Sequence, residues 1–241
     1  MNGGRRSFGR RLLQAVAWAA GLWLVGTVLL VLALRWIDPP TTAFMLSSRV
    51  GAALAGEKSY RLRHQWVDYR QISRNAPLAM IAAEDQLFPQ HWGFDFKSID
   101  DSIRDSRDGK RLRGASTLTQ QVAKNLFLWK GPSFARKGFE AYFTVLLEAL
   151  WPKQRIIEVY LNVAEFGRGV YGVGAASRYY FRKPAARLTA ADSALLAAVL
   201  PNPRRLKVNA PSVYVRKRQE WILWQMRGLG GTRYLFAYEG G

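Results

Sequence analysis

The chain has 241 residues, enough for one membrane-spanning segment and one domain with a sizeable hydrophobic core. It contains no cysteine, which excludes disulfide bonds and thiolate metal sites. Its 36 lysines and arginines outnumber 17 acidic residues and give a formal net charge of +19. Such a charge attracts polyanions, and it does not choose between nucleic acid, anionic lipid head groups and pyrophosphate.

A long apolar segment follows a short basic N-terminus. Residues 1–11 carry four arginines, and residues 12–34 contain no charged side chain. Such a run exceeds the ~20 residues with which a helix crosses a bilayer, and the roughly 7–15 apolar residues of a cleaved signal peptide. We therefore predict an uncleaved anchor over residues 12–37. The positive-inside rule places residues 1–11 in the cytoplasm and the remaining chain outside it.

The chain after the anchor is predicted to form one mainly α-helical domain. Pro39 and Pro40 stiffen a linker, and residues 38–60 are assigned to this linker and a weakly patterned lead-in segment. Residues 61–241 are assigned to the domain itself. Alternation of apolar and polar residues, which is typical of β-strands, is scarce throughout, so helices should dominate.

The first candidate site lies at the end of a predicted helix. Apolar residues recur at helical spacing over 78–82, and this helix delivers Glu84 and Asp85 just before a breaker region that contains Gly93. A carboxylate at the end of an apolar helix, facing a cleft, is partly desolvated. Desolvation raises the pKa of a carboxyl group, which suits a general acid or base. Taken alone, a Glu-Asp pair is more often an exposed acidic pair without a role.

A second candidate site lies at a helix N-terminus. Residues 94–113 are predicted to form a short helix followed by a mobile loop at 108–110. Thr117 and Gln120 then have the spacing of a capping box, so the next helix begins here. Its first turn should present free backbone N–H groups and a positive dipole end to an anion, with Lys124 two turns along. Taken alone, an ordinary capped helix explains this pattern better.

A third candidate site pairs two opposite charges on one helix. Arg136 and Glu140 stand at i, i+4 spacing where this helix begins. The apolar residues of 139–150, Phe139 included, are predicted to form its buried face. An exposed pair of this kind contributes less than about 1 kcal/mol to stability. Trp151-Pro152 ends the helix, and Lys153 begins the next one.

The last part of the chain is predicted to form further helices around a glycine-rich turn over 166–176. Because no strand is predicted before this turn, a dinucleotide-binding fingerprint is excluded. Thr189 and Asp192 form a second capping box, and residues 211–227 form a last amphipathic helix. The basic runs are interpreted as solvated faces; they lie at 104–113, 204–207 and 216–218.

Five segments follow one another between Glu84 and Phe181. In chain order they read Glu-Asp-x-x-Phe-x-x-His-x-Gly, Gly-Ala-Ser-Thr-Leu-Thr-Gln-Gln-x-x-Lys-Asn, Arg-Lys-x-x-Glu, Lys-x-x-Ile-x-Glu-x-Tyr-Leu-Asn and the glycine-rich turn. Together they resemble the motifs of the family 51 glycosyltransferases, the peptidoglycan polymerases. The resemblance implies a mainly α, lysozyme-like glycosyltransferase domain after a single N-terminal transmembrane helix. The Ser-x-x-Lys signature of the transpeptidase domain in larger relatives is absent from the sequence, which predicts a monofunctional enzyme.

The resemblance implies a reaction, a location and partners. The substrates are lipid II, a disaccharide-peptide on polyprenyl pyrophosphate, and the growing lipid-linked glycan chain. The 4-hydroxyl of an acceptor sugar joins C1 of the growing chain with inversion, and polyprenyl pyrophosphate is released. The protein is expected to cross the inner (cytoplasmic) membrane once, with its catalytic domain in the periplasm. Proteins of cell-wall synthesis or division are candidate partners, and neither nucleic acid nor an organic cofactor is expected.

The resemblance also assigns roles to individual residues. Glu84 is the candidate general base, and Glu140 is the second essential carboxylate. Glu140 either stabilises a cationic sugar or holds a divalent cation, Mg²⁺ or Mn²⁺, and both alternatives stay open. The candidates for substrate binding are Ser116, Thr117, Gln120, Gln121, Lys124, Asn125, Lys130, Arg136 and Lys137. The structural positions of the motifs are Asp85, Phe88, His91, Gly93, Gly114, Glu158, Asn162 and Gly172.

The chain departs from the family pattern at one position. Relatives often carry an arginine shortly before the third motif, where this chain has Pro132. Lys130 lies two residues upstream of this proline, whose φ angle is fixed. We predict that the charge of Lys130 partly replaces the missing arginine.

Two functions of other classes remain as alternatives. A lytic, lysozyme-like enzyme would share the fold and a glutamic acid, but it would not need a cationic pyrophosphate site beside Thr117. A membrane-tethered nucleic-acid binder would explain the net charge of +19, but it leaves Glu84 and Glu140 without a role.

Overall fold

The computed structural model describes residues 3–96 and 116–239, with side chains from residue 9 onwards. The chain divides into two compact units, Met1–Asp38 and Pro39–Gly241. The short helix and loop predicted over 94–113 lie outside the described residues except at their start, and so does Gly114.

Helix α1 (Gly3–Ala33) makes up most of the first unit. Its segment Gly9–Ala33 is long and apolar enough to cross a membrane. Large apolar side chains are exposed along it, among them Leu13, Trp18 and Leu22. This exposure is compatible with a lipid-facing anchor. The helix ends at Ala33, earlier than the predicted limit at residue 37.

The second unit begins with a helix that the sequence did not predict. Helix α2 (Ala43–Leu54) starts at Thr42, whose side-chain oxygen accepts a hydrogen bond from the backbone N–H of Met45 at 3.1 Å. Its buried residues are Met45, Ser48 and Ala52. Because two of these three are small or polar, the apolar periodicity of the segment is weak, and it was assigned to the lead-in segment instead.

Helices supply most of the second unit, as predicted. In chain order they are α3 (Asn75–Glu84), α4 (Leu118–Phe127), α5 (Phe134–Leu150), α6 (Lys153–Val163), α7 (Gly172–Phe181), α8 (Ala190–Val199), α9 (Val213–Gly228) and α10 (Phe236–Glu239). Short 3-10 turns lie between elements of the described chain, at Tyr69–Gln71, Ala185–Arg187 and Gly231–Leu235. Both predicted capping boxes are confirmed, on α4 and α8. Helix α9 is not the last helix, because α10 follows it.

The core forms around α3. Every residue from 76 to 82 is buried, because α3 packs against α8, α9 and the turn that precedes α10. Helix α4 packs against α5 and α6, and α6 also contacts α3. Helix α6 therefore joins the two groups of helices. This arrangement holds the C-terminal end of α3 beside α4.

Three short strands form a small sheet in the order β1-β3-β2. They are β1 (Arg63–His64), β2 (Glu165–Gly167) and β3 (Val170–Tyr171). β1 is parallel to β3, with Arg63 opposite Val170 and His64 opposite Tyr171, and β2 is antiparallel to β3. β2 overlaps the start of the glycine-rich turn over 166–176 and β3 lies within it, leading directly into α7, so this segment contains strands that the sequence did not predict.

The exclusion of a dinucleotide site now rests on packing at Gly172. This residue has φ +79°, and a Cβ atom here would lie 2.5 Å from the backbone oxygen of Asn162. The glycine therefore lets α7 start against the end of α6. The space that a phosphate-binding glycine would leave for a ligand is filled by the protein's own backbone.

The buried face of α5 differs from the predicted one. Phe143 and Leu147 are buried as expected, but Phe139 is 39 % exposed and its ring meets Trp129 edge-on. The remaining buried positions are Glu140 and Thr144. The helix thus turns a carboxylate inward where an apolar side chain was expected.

Candidate active site

Glu84 is the last residue of α3, and it lies among groups from three other helices. The side-chain amide of Gln121 on α4 donates a hydrogen bond to Oε2 of Glu84 at 3.0 Å. The hydroxyl of Tyr160 on α6 donates to the oxygen of the same amide at 3.4 Å. Because Tyr160 holds this amide oxygen, the amide nitrogen faces the carboxylate.

The third group that reaches Glu84 is Arg218 on α9. One of its terminal nitrogens lies 3.4 Å from Oε1 of the carboxylate. The interpretation of residues 216–218 as a solvated face is therefore wrong at Arg218, whose side chain is only 23 % exposed. A sequence signal was present, because Arg218 stands between the buried residues Val215 and Ile222 at helical spacing.

The surroundings of Glu84 act on its pKa in both directions. Burial raises the pKa of Glu84 most strongly, and the negative charge of Asp85 adds to this rise. The hydrogen bond from Gln121 and the charges of Arg218 and Lys124 oppose it, and the pKa stays above its ordinary value. A carboxylate in this state takes up a proton more readily than an exposed glutamate does.

Asp85 performs a different task from its neighbour. Its Oδ2 accepts a hydrogen bond from the backbone N–H of Leu118 at 2.9 Å, at the first turn of α4. Its Oδ1 lies 2.8 Å from Nε2 of His91, and the backbone N–H of Gly93 donates to Nδ1 of the same ring at 3.1 Å. The histidine therefore carries its hydrogen on Nε2, which donates a hydrogen bond to Asp85. These bonds fasten the start of α4 beside the end of α3.

Side chains of the protein accept hydrogen bonds from backbone N–H groups at the N-terminus of α4. Leu118 donates to Asp85, and the backbone N–H of Gln120 donates to the side chain of Thr117. Thr117 in turn donates to the backbone oxygen of Gly93 at 2.7 Å, and the side chain of Gln120 accepts from the backbone of Thr117. The expectation of free N–H groups at this helix start is wrong for Leu118 and Gln120. Thr117 and Gln120 themselves lie buried within the cap.

Phe88 and Lys153 support the loop that follows Glu84. Phe88 is fully buried, and its ring meets those of His91 and Tyr238 edge-on. The Lys153 ammonium lies 4.7 Å from the centre of the Phe88 ring, and it donates to the backbone oxygen of His91 at 2.6 Å. Tyr234, in the last 3-10 turn, donates to the backbone oxygen of Gln86. No sequence pattern indicates that the C-terminal segment contacts this loop.

Two motif residues on α6 hold the chain that leads to α3. Glu158 accepts a hydrogen bond from the backbone N–H of Tyr69 at 2.8 Å. The side-chain amide of Asn162 pairs with Val67, accepting from its N–H and donating to its carbonyl oxygen, each at 2.9 Å. Neither residue is among the groups that reach Glu84 or Glu140 in the described structure. Their contacts are those of packing braces, as the sequence interpretation expected.

Glu140 is the second carboxylate of the site, and it is 3 % exposed. Arg136 donates to its Oε2 at 2.8 Å, and the ammonium of Lys137 donates to its Oε1. Lys137 also reaches the hydroxyl of Ser116 at 3.5 Å. The Arg136–Glu140 pair thus joins a half-buried arginine to a buried carboxylate, unlike the surface salt bridge that the spacing alone indicates.

Lys124 connects the two carboxylates electrostatically. Burial lowers the pKa of Lys124 most, while Glu140 and Glu84 both raise it. The nearby cations Arg136 and Lys137 lower it further. The sequence-predicted residues Glu84, Gln121, Lys124, Arg136, Lys137 and Glu140 are therefore within one electrostatic group. Asn125 follows Lys124 and is half-buried.

Lys130 points elsewhere. Its ammonium donates to the hydroxyl of Ser48 on α2, and it lies 5.3 Å from the centre of the Phe44 ring. Burial lowers the pKa of Lys130 most, and the charge of Arg204 lowers it further. Arg204 reaches the same Ser48 hydroxyl at 3.3 Å. That Lys130 replaces the family arginine stays a prediction, since its described contacts are with α2 and not with Glu140.

The residues around Glu140 do not fit an assembled metal site. Both of its oxygens accept hydrogen bonds from cations. Within residues 3–96 and 116–239, no group of three or more histidine, aspartate or glutamate side chains converges as metal ligands would. The expected divalent cation stays a prediction.

Comparison with known proteins identifies the family. The transglycosylase family model matches residues 51–227, well over half of the chain. The chain belongs to the transglycosylase family. The match confirms the resemblance read from the five motifs, and with it the mainly helical, lysozyme-like glycosyltransferase fold of this transglycosylase.

Curated relatives of this transglycosylase are similar over almost their whole length. A protein of Pectobacterium carotovorum subsp. carotovorum (strain PC1), named biosynthetic peptidoglycan transglycosylase, is 51 % identical over 95 % of this chain and 92 % of its own. Proteins of the same name from Xanthomonas campestris pv. campestris (strain B100) and Klebsiella oxytoca are 51 % and 52 % identical. They cover 95 % of this chain and 93 % and 94 % of their own.

Proposed function

We propose that this transglycosylase is a peptidoglycan glycosyltransferase that polymerises lipid II into glycan strands, with inversion and release of polyprenyl pyrophosphate. The observation that carries the proposal is one electrostatic group in which the charges of two carboxylates, half-buried Glu84 and buried Glu140, both act on Lys124. One carboxylate is suited to take a proton, and the other gathers cations. The names of relatives about 50 % identical over 95 % of the chain support the same substrate class.

Glu84 acts as the general base in this proposal. The 4-hydroxyl of the acceptor sugar is a weak nucleophile until its proton is taken during the attack. As the new bond forms between this oxygen and C1 of the growing chain, the hydroxyl proton passes to Glu84. The raised pKa of Glu84, caused by its burial, favours this transfer. Attack from the face opposite the leaving group inverts C1, and no covalent sugar–enzyme intermediate is needed.

The leaving group is stabilised by fixed cations. The bond between C1 and the pyrophosphate oxygen breaks, and both electrons leave with the pyrophosphate. Lys124, Arg136 and Lys137 supply positive charge in a partly buried place, where it acts more strongly than in water. Glu140 binds Arg136 and Lys137 and thereby sets their positions. It does so without coordinating the substrate itself.

We also propose that α1 anchors the enzyme in the cytoplasmic membrane, with the N-terminus in the cytoplasm and the second unit in the periplasm. Four arginines precede the apolar segment, and this asymmetry supports the orientation. A lipid-linked substrate and an anchored enzyme share one bilayer, which raises the effective concentration of each for the other.

The proposal is tested by incubating the purified full-length protein with lipid II and separating the products on a gel. We expect a ladder of lipid-linked glycan strands. The same preparation should leave finished, lipid-free strands uncut, because a hydrolase must protonate a sugar leaving group and a polymerase need not. Cleavage of such strands without polymerisation of lipid II would identify a lytic enzyme instead.

A further inference from the structure

Arg218 has two features that the reaction described above does not use. It lies outside the five motif segments, on α9, yet it faces the base. Its terminal nitrogen is 3.4 Å from Oε1 of Glu84. Its Nε is buried and has no hydrogen-bond partner among the residues that the structure describes. A buried donor without a partner costs free energy, so it indicates a group that arrives with a ligand.

We propose that Arg218 is the acceptor-side residue of the site: it holds Glu84 as an oriented carboxylate and donates from Nε to a hydroxyl oxygen of the acceptor sugar. This inference rests on the proposed function and adds a residue to it. The planar guanidinium suits both tasks, because its N–H groups point in fixed directions from one rigid fork. One edge serves the enzyme's own base, and Nε serves the substrate.

The charges around Arg218 select a neutral partner for Nε. Glu84 already offsets the positive charge of the guanidinium, and Asp85 adds a second negative charge to the surroundings of the base. An anion placed there would be repelled by both carboxylates. A sugar hydroxyl accepts a hydrogen bond without bringing charge. The hydroxyls next to the reacting 4-hydroxyl, at positions 3 and 6 of the sugar, therefore fit best.

The same contact sets the pH range in which Glu84 works. The groups that act on the carboxylate are Arg218 from α9, Gln121 and Lys124 from α4, and the adjacent Asp85, while Tyr160 reaches it from α6 through Gln121. Burial raises the pKa of Glu84, and Arg218 opposes the rise. Removing the arginine should therefore raise this pKa further. Since the base must be ionised before it accepts a proton, activity should then be lost at a higher pH as the solution is acidified.

Two variants separate the two tasks of Arg218. Arg218→Ala removes charge and donor together, and we expect kcat/KM for lipid II to fall roughly ten- to hundredfold, as for loss of a hydrogen bond to a charged group. Its acidic limb in the pH–rate profile should move to higher pH. Arg218→Lys keeps the charge and loses the fork, so its acidic limb should stay near that of the wild type while KM for the acceptor rises about tenfold.

Acceptor analogues of lipid II identify the oxygen that Nε meets. One of the two analogues, lacking either the 3- or the 6-hydroxyl, should have a KM about tenfold higher than lipid II with the wild-type enzyme. The KM of Arg218→Lys should not change when the same hydroxyl is removed. Lys217→Ala is the matched control, since it removes one positive charge from an exposed neighbour on the same helix. Thermal melts confirm that each variant is folded, and Arg218→Lys carries the test if Arg218→Ala is not.

The inference is overturned if Arg218→Lys and Arg218→Ala, both folded, match Lys217→Ala in KM and pH profile. It is also overturned if both deoxygenated acceptors affect the wild type and Arg218→Lys equally. Either result, obtained with a wild-type protein that polymerises lipid II, leaves the proposed function intact. Failure of the wild type to polymerise lipid II would instead contradict the proposed function itself.

Discussion

At the scale of single residues, the two carboxylates differ in how their oxygens are occupied. Glu84 accepts one hydrogen bond from an amide and one long contact from Arg218, so it keeps capacity for a substrate proton. Glu140 accepts from Arg136 and Lys137, one cation on each oxygen. The first environment suits proton transfer, and the second suits the holding of cations. Both acids occur in family motifs, but only their contacts separate the roles.

We predict that Glu84→Gln abolishes polymerisation and leaves the fold intact. Glutamine keeps the size of the side chain, but it cannot accept the proton of the acceptor hydroxyl. Loss of a general base lowers rates by roughly 10²–10⁴-fold, which initial rates with lipid II would measure. A variant that melts like the wild type and stays within a few-fold of its rate would show that another group is the base.

We predict that Lys124→Ala strongly lowers the turnover of lipid II, through kcat more than through KM. The contact between its ammonium and the pyrophosphate strengthens as the bond to C1 breaks, so the loss falls on the transition state. Steady-state rates of Lys124→Ala and of Lys58→Ala, an exposed lysine of the same charge, provide the comparison. Equal rates in the two variants would mean that Lys124 does not meet the leaving group.

At the scale of elements, the site exists because two helix ends are tied together. Asp85 accepts from the first turn of α4, and Thr117 closes the same junction by donating to Gly93. Gly93 has φ +75°, and a Cβ atom there would lie 2.5 Å from the Cγ2 of Thr144 on α5. Gly93 thus contacts the cap of α4 and the side of α5, and it reaches the end of α3 through His91 and Asp85, so the position of Glu84 depends on this junction.

We predict that Gly93→Ala lowers the free energy of unfolding by about 2–5 kcal/mol, which combines left-handed backbone strain with overpacking. Urea titration of the variant and the wild type measures the difference. The control is Gly51→Ala, in the middle of α2, where a Cβ atom meets nothing within 4 Å. That change should stabilise by about 0.5–1 kcal/mol. Equal stability of the two variants would show that a glycine at position 93 is not needed to hold these helices together.

The sequence predicted the elements whose signals are local. Capping boxes, proline stops and motif spacing all act within a few residues, so α4, α6 and α8 were found with their starts. Helix α2 was missed because its buried face includes Ser48, which is buried against groups distant in sequence such as Tyr171. Helical spacing indicates that Arg218 lies near the buried face of α9, but its pairing with Glu84 was missed for the same reason. Its partner Glu84 is 134 residues away, and no local pattern encodes such a pair.

At the scale of the whole molecule, the net charge of +19 is not only a solvated surface. Arg136, Lys137 and Arg218 each pair with a carboxylate of the site, and half-buried Lys124 interacts electrostatically with both carboxylates. In the proposed function, Lys124, Arg136 and Lys137 stabilise the pyrophosphate leaving group, and Arg218 serves the acceptor side. The nucleic-acid alternative assigns them only to a polyanion backbone and gives the paired carboxylates no role.

The last prediction concerns the two units together. We expect a reporter that fluoresces only in the cytoplasm to stay dark when it is fused after Gly241, because the four arginines that precede the apolar segment of α1 favour an N-terminus inside. A version without residues 1–38 retains the second compact unit, so it should still polymerise lipid II dissolved in detergent. On lipid II embedded in vesicles, the same version should be about 10²-fold slower than the full chain, since the shared bilayer no longer concentrates enzyme and substrate. A bright C-terminal fusion would show that the second unit lies in the cytoplasm, which contradicts the proposed orientation and places the enzyme on the wrong side of the membrane. Equal rates on vesicles would show that the second unit reaches the bilayer without its anchor.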